Sequence, residues 1–424
     1  MSAAGNTSTY ERAARTVDRR HRQASVSYGL LVLVTLALVA FGLVMVYSAS
    51  SARAAVAADD PAYYLKRQGI YALIGLTLFA ILSRFDYRHL RRLGGPLLAV
   101  SLVLLVAVLV LGSSVNGARR WFDFGFVSLQ PSELTKVALA LWIAALLARR
   151  PAPATFGELL RPVGLVTGLA ALLLLVQPDL GSALSLAIIA GTVVMVSGSP
   201  LRLLAGAGAS LIAAVLLLAW LEPYRKARLL AFLDPWADPQ ATGYQSVQAL
   251  LAVGSGGLFG VGLGEGVQKI YYLPEASTDM IFAIVGEELG LLGTATVILA
   301  YGVFGYAGFR TALACRDPFG KRLAAALTAL ICGQAAINIA AVLGLAPLTG
   351  VPLPFVSYGG SSLIMSLCAV GILLNIAVSD AGSSTASVRD RGRGNGGARP
   401  AGAGRRRGAA RPAGERELRR VGAR

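Results

Sequence analysis

Tyr271-Tyr-Leu-Pro-Glu-Ala-Ser-Thr-Asp279-Met-Ile-Phe-Ala-Ile-Val-Gly-Glu287-Glu288-Leu-Gly290 is a polar segment that runs without a break into an apolar helical pattern. Asp279 stands at the seam. Thr278 or Asp279 is placed to cap the helix, whose first turns then carry Glu287 and Glu288 into apolar surroundings. Carboxylates at membrane depth need a reason, and the rest of the chain reads as a scaffold that holds this seam at one face of a bilayer.

Composition excludes a soluble domain: 55% of residues are hydrophobic, only 14% are charged, and the mean hydropathy is +0.64. Apolar runs long enough to span, about 17 to 25 residues each, fall near 28–49, 69–83, 94–112, 133–148, 160–176, 181–198, 201–220, 280–308, 323–345 and 355–378. The expected fold is an all-α polytopic membrane protein of about ten transmembrane helices, with a long outer loop near 221–279 and re-entrant outer segments. Residues 1–27 form a basic N-terminal tail, 28–379 the membrane domain and 380–424 a second tail.

Lys and Arg orient the bundle. With the N-terminus inside, 29 of the 39 lie on the inner segments, which is the positive-inside pattern and makes both termini cytoplasmic. The polar segment before the first apolar run is too long for a secretory signal peptide, so that run is a retained helix. The segment after 380 carries 12 Arg and is rich in Gly, Ala and Pro, so it cannot bury a core and is expected to be disordered. Its place at the inner leaflet favours anionic lipid or an acidic cytoplasmic partner over nucleic acid.

Cys332 and Cys368 lie inside spans and Cys315 on the cytoplasmic side, as do His21 and His89. No extracellular disulfide is available. A metal on the outer face would be held by carboxylates and carbonyls, which favours Mg, Ca or Mn over zinc.

The outer loop Gly112-Ser-Ser-Val-Asn-Gly-Ala-Arg119-Arg120-Trp-Phe-Asp-Phe-Gly-Phe-Val-Ser-Leu-Gln130-Pro-Ser-Glu133-Leu-Thr-Lys136 interleaves two arginines with four aromatic rings. Two readings stand: an aromatic belt with snorkelling arginines, or a site where Arg119 or Arg120 binds the phosphate of a lipid headgroup by paired donors. Glu133 and Lys136, at i and i+3 inside the fourth span, favour the second, because an ion pair in a membrane helix is costly. In Gln177-Pro-Asp-Leu-Gly181, Asp179 either caps the next helix or forms a polar wall of the same cavity.

The connection 221–279 holds charged and aromatic residues and a glycine series from Gly254 to Gly266. A structureless loop that long is uncommon unless functional. No GxxxxGK[ST] is present, so the glycines are not a nucleotide loop; they suit close backbone approach to a ligand or another helix. Gly344 to Ser362 carries several prolines and glycines at membrane depth, with Gln334 and Asn338 just before it. Broken backbone there is tolerated only where it lines a protein cavity.

Asn338, Pro347, Gly350, Pro352, Pro354 and Ser357-Tyr-Gly-Gly-Ser-Ser362 resemble the FtsW/RodA/SpoVE (SEDS) family, as do Gln130 to Lys136, Gln177 to Gly181 and Tyr272 to Asp279. The resemblance implies a ten-helix peptidoglycan glycosyltransferase that polymerises lipid II on the outer face of the plasma membrane. It implies work at the division septum with a class B penicillin-binding protein and other division proteins. The phrase Pro274 to Ala283 and Arg119-Arg-Trp121 are more like the family's division member than its elongation member, of a high-GC Gram-positive type of bacterium; Ser277 departs from the division pattern, where His is frequent.

The resemblance makes Asp279 the catalytic aspartate and base for the acceptor's 4-hydroxyl. Arg119, Arg120, Lys136 or a divalent cation, Mg or Mn, would meet the leaving pyrophosphate. Glu133, Asp179, Lys269, Ser357, Gly359, Gly360 and Ser361 complete the substrate-binding candidates. Such a reaction needs one base and diphosphate stabilisation, whereas two-carboxylate glycosidase logic fits poorly because the leaving group is already good. A lipid II flippase and a non-catalytic division scaffold are the competing classes.

Overall fold

With no water to satisfy backbone N–H and C=O groups in a bilayer, each apolar run closes its hydrogen bonds internally as a helix. The computed structural model describes residues 4–115, 117–125, 128–221 and 223–393. The helices are α1 (Ala4–Ala58), α2 (Tyr63–Arg84), α3 (Leu90–Leu111), α4 (Pro131–Leu147), α5 (Phe156–Leu159), α6 (Leu165–Val176), α7 (Leu180–Val196), α8 (Leu201–Leu221), α9 (Pro223–Leu233), α10 (Tyr244–Ser255), α11 (Ile281–Ala314), α12 (Pro318–Val342) and α13 (Gly360–Arg393). A short antiparallel sheet, β1 (Ser113–Val115), β2 (Ala118–Asp123) and β3 (Ser128–Leu129), lies between α3 and α4.

All ten expected spans coincide with helices, and seven segments among the described residues are long and apolar enough to cross a membrane. Of the other three, α4 and α7 are shorter, at 17 residues each, and α8 is the apolar helix Leu201–Leu221. This is a multi-pass membrane protein. Burial separates its centre from its rim: 83% of the most apolar window of α13 is buried and 67% of that of α12, against 17% across α5 and α6. Helix α12 packs on α4, α7 and α11, and α1 packs on α2 and α11. Exposed Leu73, Val103, Val110 and Leu172 on the outer helices form a lipid-facing surface.

Four boundaries differ from the sequence reading. Helix α1 begins at Ala4, so residues 4–27 are helical, and the apolar span within it runs Ser25–Val56. The fifth span begins earlier, where the Thr155 hydroxyl accepts from the Glu158 amide. The tenth begins only at Gly360, because Pro347, Pro352 and Pro354 deny the preceding chain helical hydrogen bonds. Helix α13 runs on to Arg393, past the expected boundary at 380, and residues 394–424 of the tail expected to be disordered lie outside the described residues.

The connection 221–279 is not structureless. It contains α9 and α10, followed by a glycine-rich turn whose backbone docks on a break in α11 at Gly290 (φ +65°, ψ −158°). The amides of Val261 and Gly262 donate to the Glu287 and Glu288 carbonyls (3.0 and 3.1 Å), and those of Leu291 and Leu292 to the Gly257 and Leu258 carbonyls (2.9 and 3.2 Å). The four bonds satisfy groups that the helix break releases. A Cβ at Gly260 (φ +80°) would lie 2.0 Å from the Glu288 carbonyl oxygen, so only glycine permits the approach.

Candidate active site

One end of the bundle holds a polar cavity of about 620 Å³. Five segments build it. The first is the β-hairpin, whose Arg120 donates from Nε to the Gln177 carbonyl (2.8 Å) and from Nη2 to the Pro178 carbonyl (2.6 Å). The arginine thereby ties the hairpin to the α6–α7 turn, and only part of its guanidinium remains for a ligand. The second is the first turn of α4, where Lys136 Nζ meets Glu133 Oε1 at 2.7 Å with both side chains buried.

The third is the α6–α7 turn itself. Asp179 accepts from the Ser182 amide (2.9 Å) as the N-cap of α7 and also lines the cavity, so both readings of this residue hold. The fourth is the re-entrant stretch from Gly344 to Gly359, non-helical as expected, exposed at Leu345 and Gly350 and buried in its second half, with Val351, Leu353, Phe355 and Val356 nearly inaccessible. The Tyr301 hydroxyl donates to the Pro354 carbonyl, and Asn338 Nδ2 donates to the Val351 carbonyl (2.8 Å).

The fifth is the seam. Asn338 Nδ2 also donates to the Asp279 carbonyl (2.7 Å), and the Tyr358 amide to the Ser277 carbonyl (2.8 Å), which locks the aspartate loop to the re-entrant chain. Asp279 itself is half-buried and lines the cavity. Neither it nor Thr278 caps α11, whose N-cap is Met280 without a side-chain bond. Thr278 donates instead to the Glu275 carboxylate (2.9 Å) and carbonyl (3.1 Å), across a turn in which Glu275 has φ +55°.

The cavity thus gathers Arg120, Glu133, Lys136, Asp179, Asp279, Gly359, Gly360 and Ser361. Three other candidates lie outside it. Arg119 alternates to the opposite side of β2 and donates to the Leu109 and Val110 carbonyls at the end of α3. Ser357 is buried and accepts from the Leu353 amide (2.8 Å), closing a turn of the re-entrant chain. Lys269 is buried in an ion pair with Glu288 (2.6 Å), away from the cavity lining.

Ser361 and Gly360 line the cavity and also have structural partners. Ser361 Oγ donates to the Ser128 carbonyl (2.6 Å) and accepts from the Gln130 amide (3.0 Å), and a Cβ on Gly360 would meet the Tyr71 ring at 2.4 Å. Sequence reasoning missed Tyr71, Gln245, Thr349 and Tyr358, all of which line the cavity. Tyr71 and Tyr358 carry the same signal as any interfacial aromatic, and Gln245 sits in a helix the sequence did not reveal. Among the described residues no group of three or more His, Cys, Asp or Glu side chains is placed to hold a metal ion.

A helical multi-pass membrane protein with a charged cavity at one end of the bundle, and a carboxylate on a locked loop inside it, is the class that fold and site define. Residues 28–381 match the FtsW/RodA/SpoVE cell cycle protein family. A probable peptidoglycan glycosyltransferase FtsW of Geobacter sulfurreducens is 42% identical over 351 residues, covering 82% of this chain and 94% of that protein. The stage V sporulation protein E of Bacillus subtilis is 40% identical, with 82% and 96% covered.

A chain from a structure titled "Structural coordination of polymerization and crosslinking by a peptidoglycan synthase complex" superposes with a TM-score of 0.70 at 34% identity, covering 82% of this chain and 97% of that one. Thermus thermophilus RodA superposes at 0.61 with 33% identity, covering 82% and 96%. The chain belongs to the FtsW/RodA/SpoVE family. Relatives from Geobacter and Bacillus do not support the expected high-GC Gram-positive source.

Proposed function

We propose that this chain is a peptidoglycan glycosyltransferase that polymerises lipid II. The observation that carries the proposal is the meeting of Asp279 with Arg120 and the Glu133–Lys136 pair around one cavity. In the reaction the acceptor sugar's 4-hydroxyl attacks the donor's anomeric carbon, its proton passes to Asp279, and the bond to the lipid diphosphate breaks with its electron pair on the phosphate oxygen. A base on a loop held at two of its carbonyls, those of Ser277 and Asp279, is fixed for that step. Arg120 and Lys136 supply positive charge where negative charge develops. A divalent cation, Mg or Mn, would enter on the diphosphate, with at most one or two carboxylates from the protein.

The chain would lie in the plasma membrane at the septum with both termini cytoplasmic and the cavity outside, in line with the distribution of Lys and Arg. The division-type reading is supported by the FtsW-named relatives, and a class B penicillin-binding protein partner by the likeness to a chain of a peptidoglycan synthase complex. Other division proteins and membrane lipids would be met through the cytoplasmic tail, with no nucleic acid. Purified protein given labelled lipid II, with and without that partner, decides the matter. Polymer is expected; movement of lipid II across a vesicle without polymer would make the chain a flippase, and neither activity would make it a scaffold.

A further inference from the structure

Two adjacent glutamates on α11 grip the chain that leads into the Asp279 loop, and neither lines the cavity. The Glu287 carboxylate accepts from the backbone amides of Val267 (2.8 Å) and Gln268 (3.1 Å). Glu288 is fully buried and pairs with Lys269 Nζ at 2.6 Å. The same ammonium donates to the Gly264 carbonyl (2.6 Å) and the Ser48 hydroxyl of α1 (3.2 Å), while Ser48 donates to the Glu288 carboxylate (2.6 Å). A Cβ on Gly266 would press on both glutamates, at 2.9 Å from Glu287 Oε2 and 3.1 Å from Glu288 Cγ, so a side chain there would have to displace them.

We infer that Lys269 and Glu288 are positioning residues, which hold the Asp279 loop at its reach into the cavity by clamping the loop's upstream end to the helix that anchors its downstream end. The inference rests on the reading of Asp279 as the base. From Lys269 the chain goes through Tyr271 (φ +66°) and Glu275 (φ +55°) and re-enters α11 at Ile281. Both ends of the loop are therefore fixed on α11, and its middle is pinned by the buried side chains of Leu273 and Ala276. A buried ion pair is weak evidence for stability, since its desolvation offsets its attraction, and fixing one geometry is the better-attested use. With Lys269 neutralised, Glu288 is left a buried charge without its cation, and the clamp at Gly264 and Ser48 opens. A displacement of about 1 Å at a catalytic group costs on the order of 10²-fold in rate.

The test uses the full chain with its three cysteines replaced and spin labels on Phe124→Cys, at the exposed hairpin tip, and Tyr272→Cys, exposed on the loop and outside the cavity lining. Lys269→Met and Glu288→Gln are expected to broaden the label distance distribution across the cavity and to lower kcat by on the order of 10²-fold, with KM for lipid II near the parent value. Lys269→Arg is expected to restore both. Should either variant fail to fold, Ser48→Ala, which keeps both charges, is expected to give the same broadening to a smaller degree and a severalfold loss of kcat. An unchanged distance distribution in the folded variants overturns the proposal, as does a raised KM with kcat intact, which would make Lys269 a substrate contact. If the parent chain makes no polymer, the glycosyltransferase reading fails, while the label distances still decide whether the pair positions the loop.

Discussion

Asp279 and Arg120 are the residues on which chemistry and architecture can be separated. Asp279→Asn keeps the side chain's size and its carbonyl bond to Asn338 but removes proton acceptance. Polymerisation by the purified variant is expected to fall by about 10² to 10⁴, with thermal unfolding unchanged; synthesis near the parent rate would remove the assignment. Arg120→Lys cannot reach the Gln177 and Pro178 carbonyls together, so it should lower the midpoint of unfolding as well as kcat/KM. Arg119→Lys, with its exposed side chain at the end of α3, should stay within about 0.5 kcal/mol in stability and near parent activity. A matched loss at Arg119 would place that side chain in the cavity.

Much at this scale was legible. Glu287 and Glu288 in an apolar helix announced buried partners, and both have them. Lys269 as the partner was not legible, since the pairing depends on a loop path of 19 residues that no local pattern encodes. Thr278 misled as well: a threonine ahead of an apolar helix satisfies the usual capping signal, but its hydroxyl donates to Glu275, three residues earlier.

At the scale of elements, the glycine-rich turn and the broken α11 make one unit. Gly260→Ala meets both a positive φ and the Glu288 carbonyl, so folded yield should drop and stability should fall by more than about 1 kcal/mol. Gly254→Ala, inside α10 with open space at its Cβ, should instead be neutral or stabilise by about 0.5 to 1 kcal/mol. Equal effects at the two positions would mean the turn does not dock on α11. The sequence suggested close approach but could not name the surface approached. The hairpin was hidden altogether, since strands of two to six residues leave too few positions for an alternation to register.

At the scale of the whole molecule the order of spans was readable from hydropathy alone, because the bilayer admits few solutions. Orientation is a separate matter, carried by Lys and Arg, and is open to direct measurement. In a chain without its native cysteines, Gln240→Cys is expected to react with an impermeant thiol reagent in intact cells lacking an outer barrier, and Arg202→Cys to react only after lysis. Both side chains are exposed on the protein surface rather than packed in its core. Reversed labelling would put the cavity in the cytoplasm and end the lipid II reading. Truncation after Arg393 should leave polymerisation in detergent unchanged and weaken recruitment to the septum; loss of activity in a folded truncate would join the basic tail to the catalytic core.

The ladder between the glycine turn and α11 uses main-chain atoms only. It is therefore blind to what most of its members carry as side chains. Leu258, Phe259 and Val261, all exposed, can be replaced by other apolar residues without touching a single bond of the ladder, whereas Gly256, Gly260 and Gly290 cannot accept even a methyl group. In a saturation mutagenesis of residues 256–261, tolerance should alternate sharply along this short stretch, free at the bulky positions and closed at the smallest ones, the reverse of what side-chain size alone would suggest.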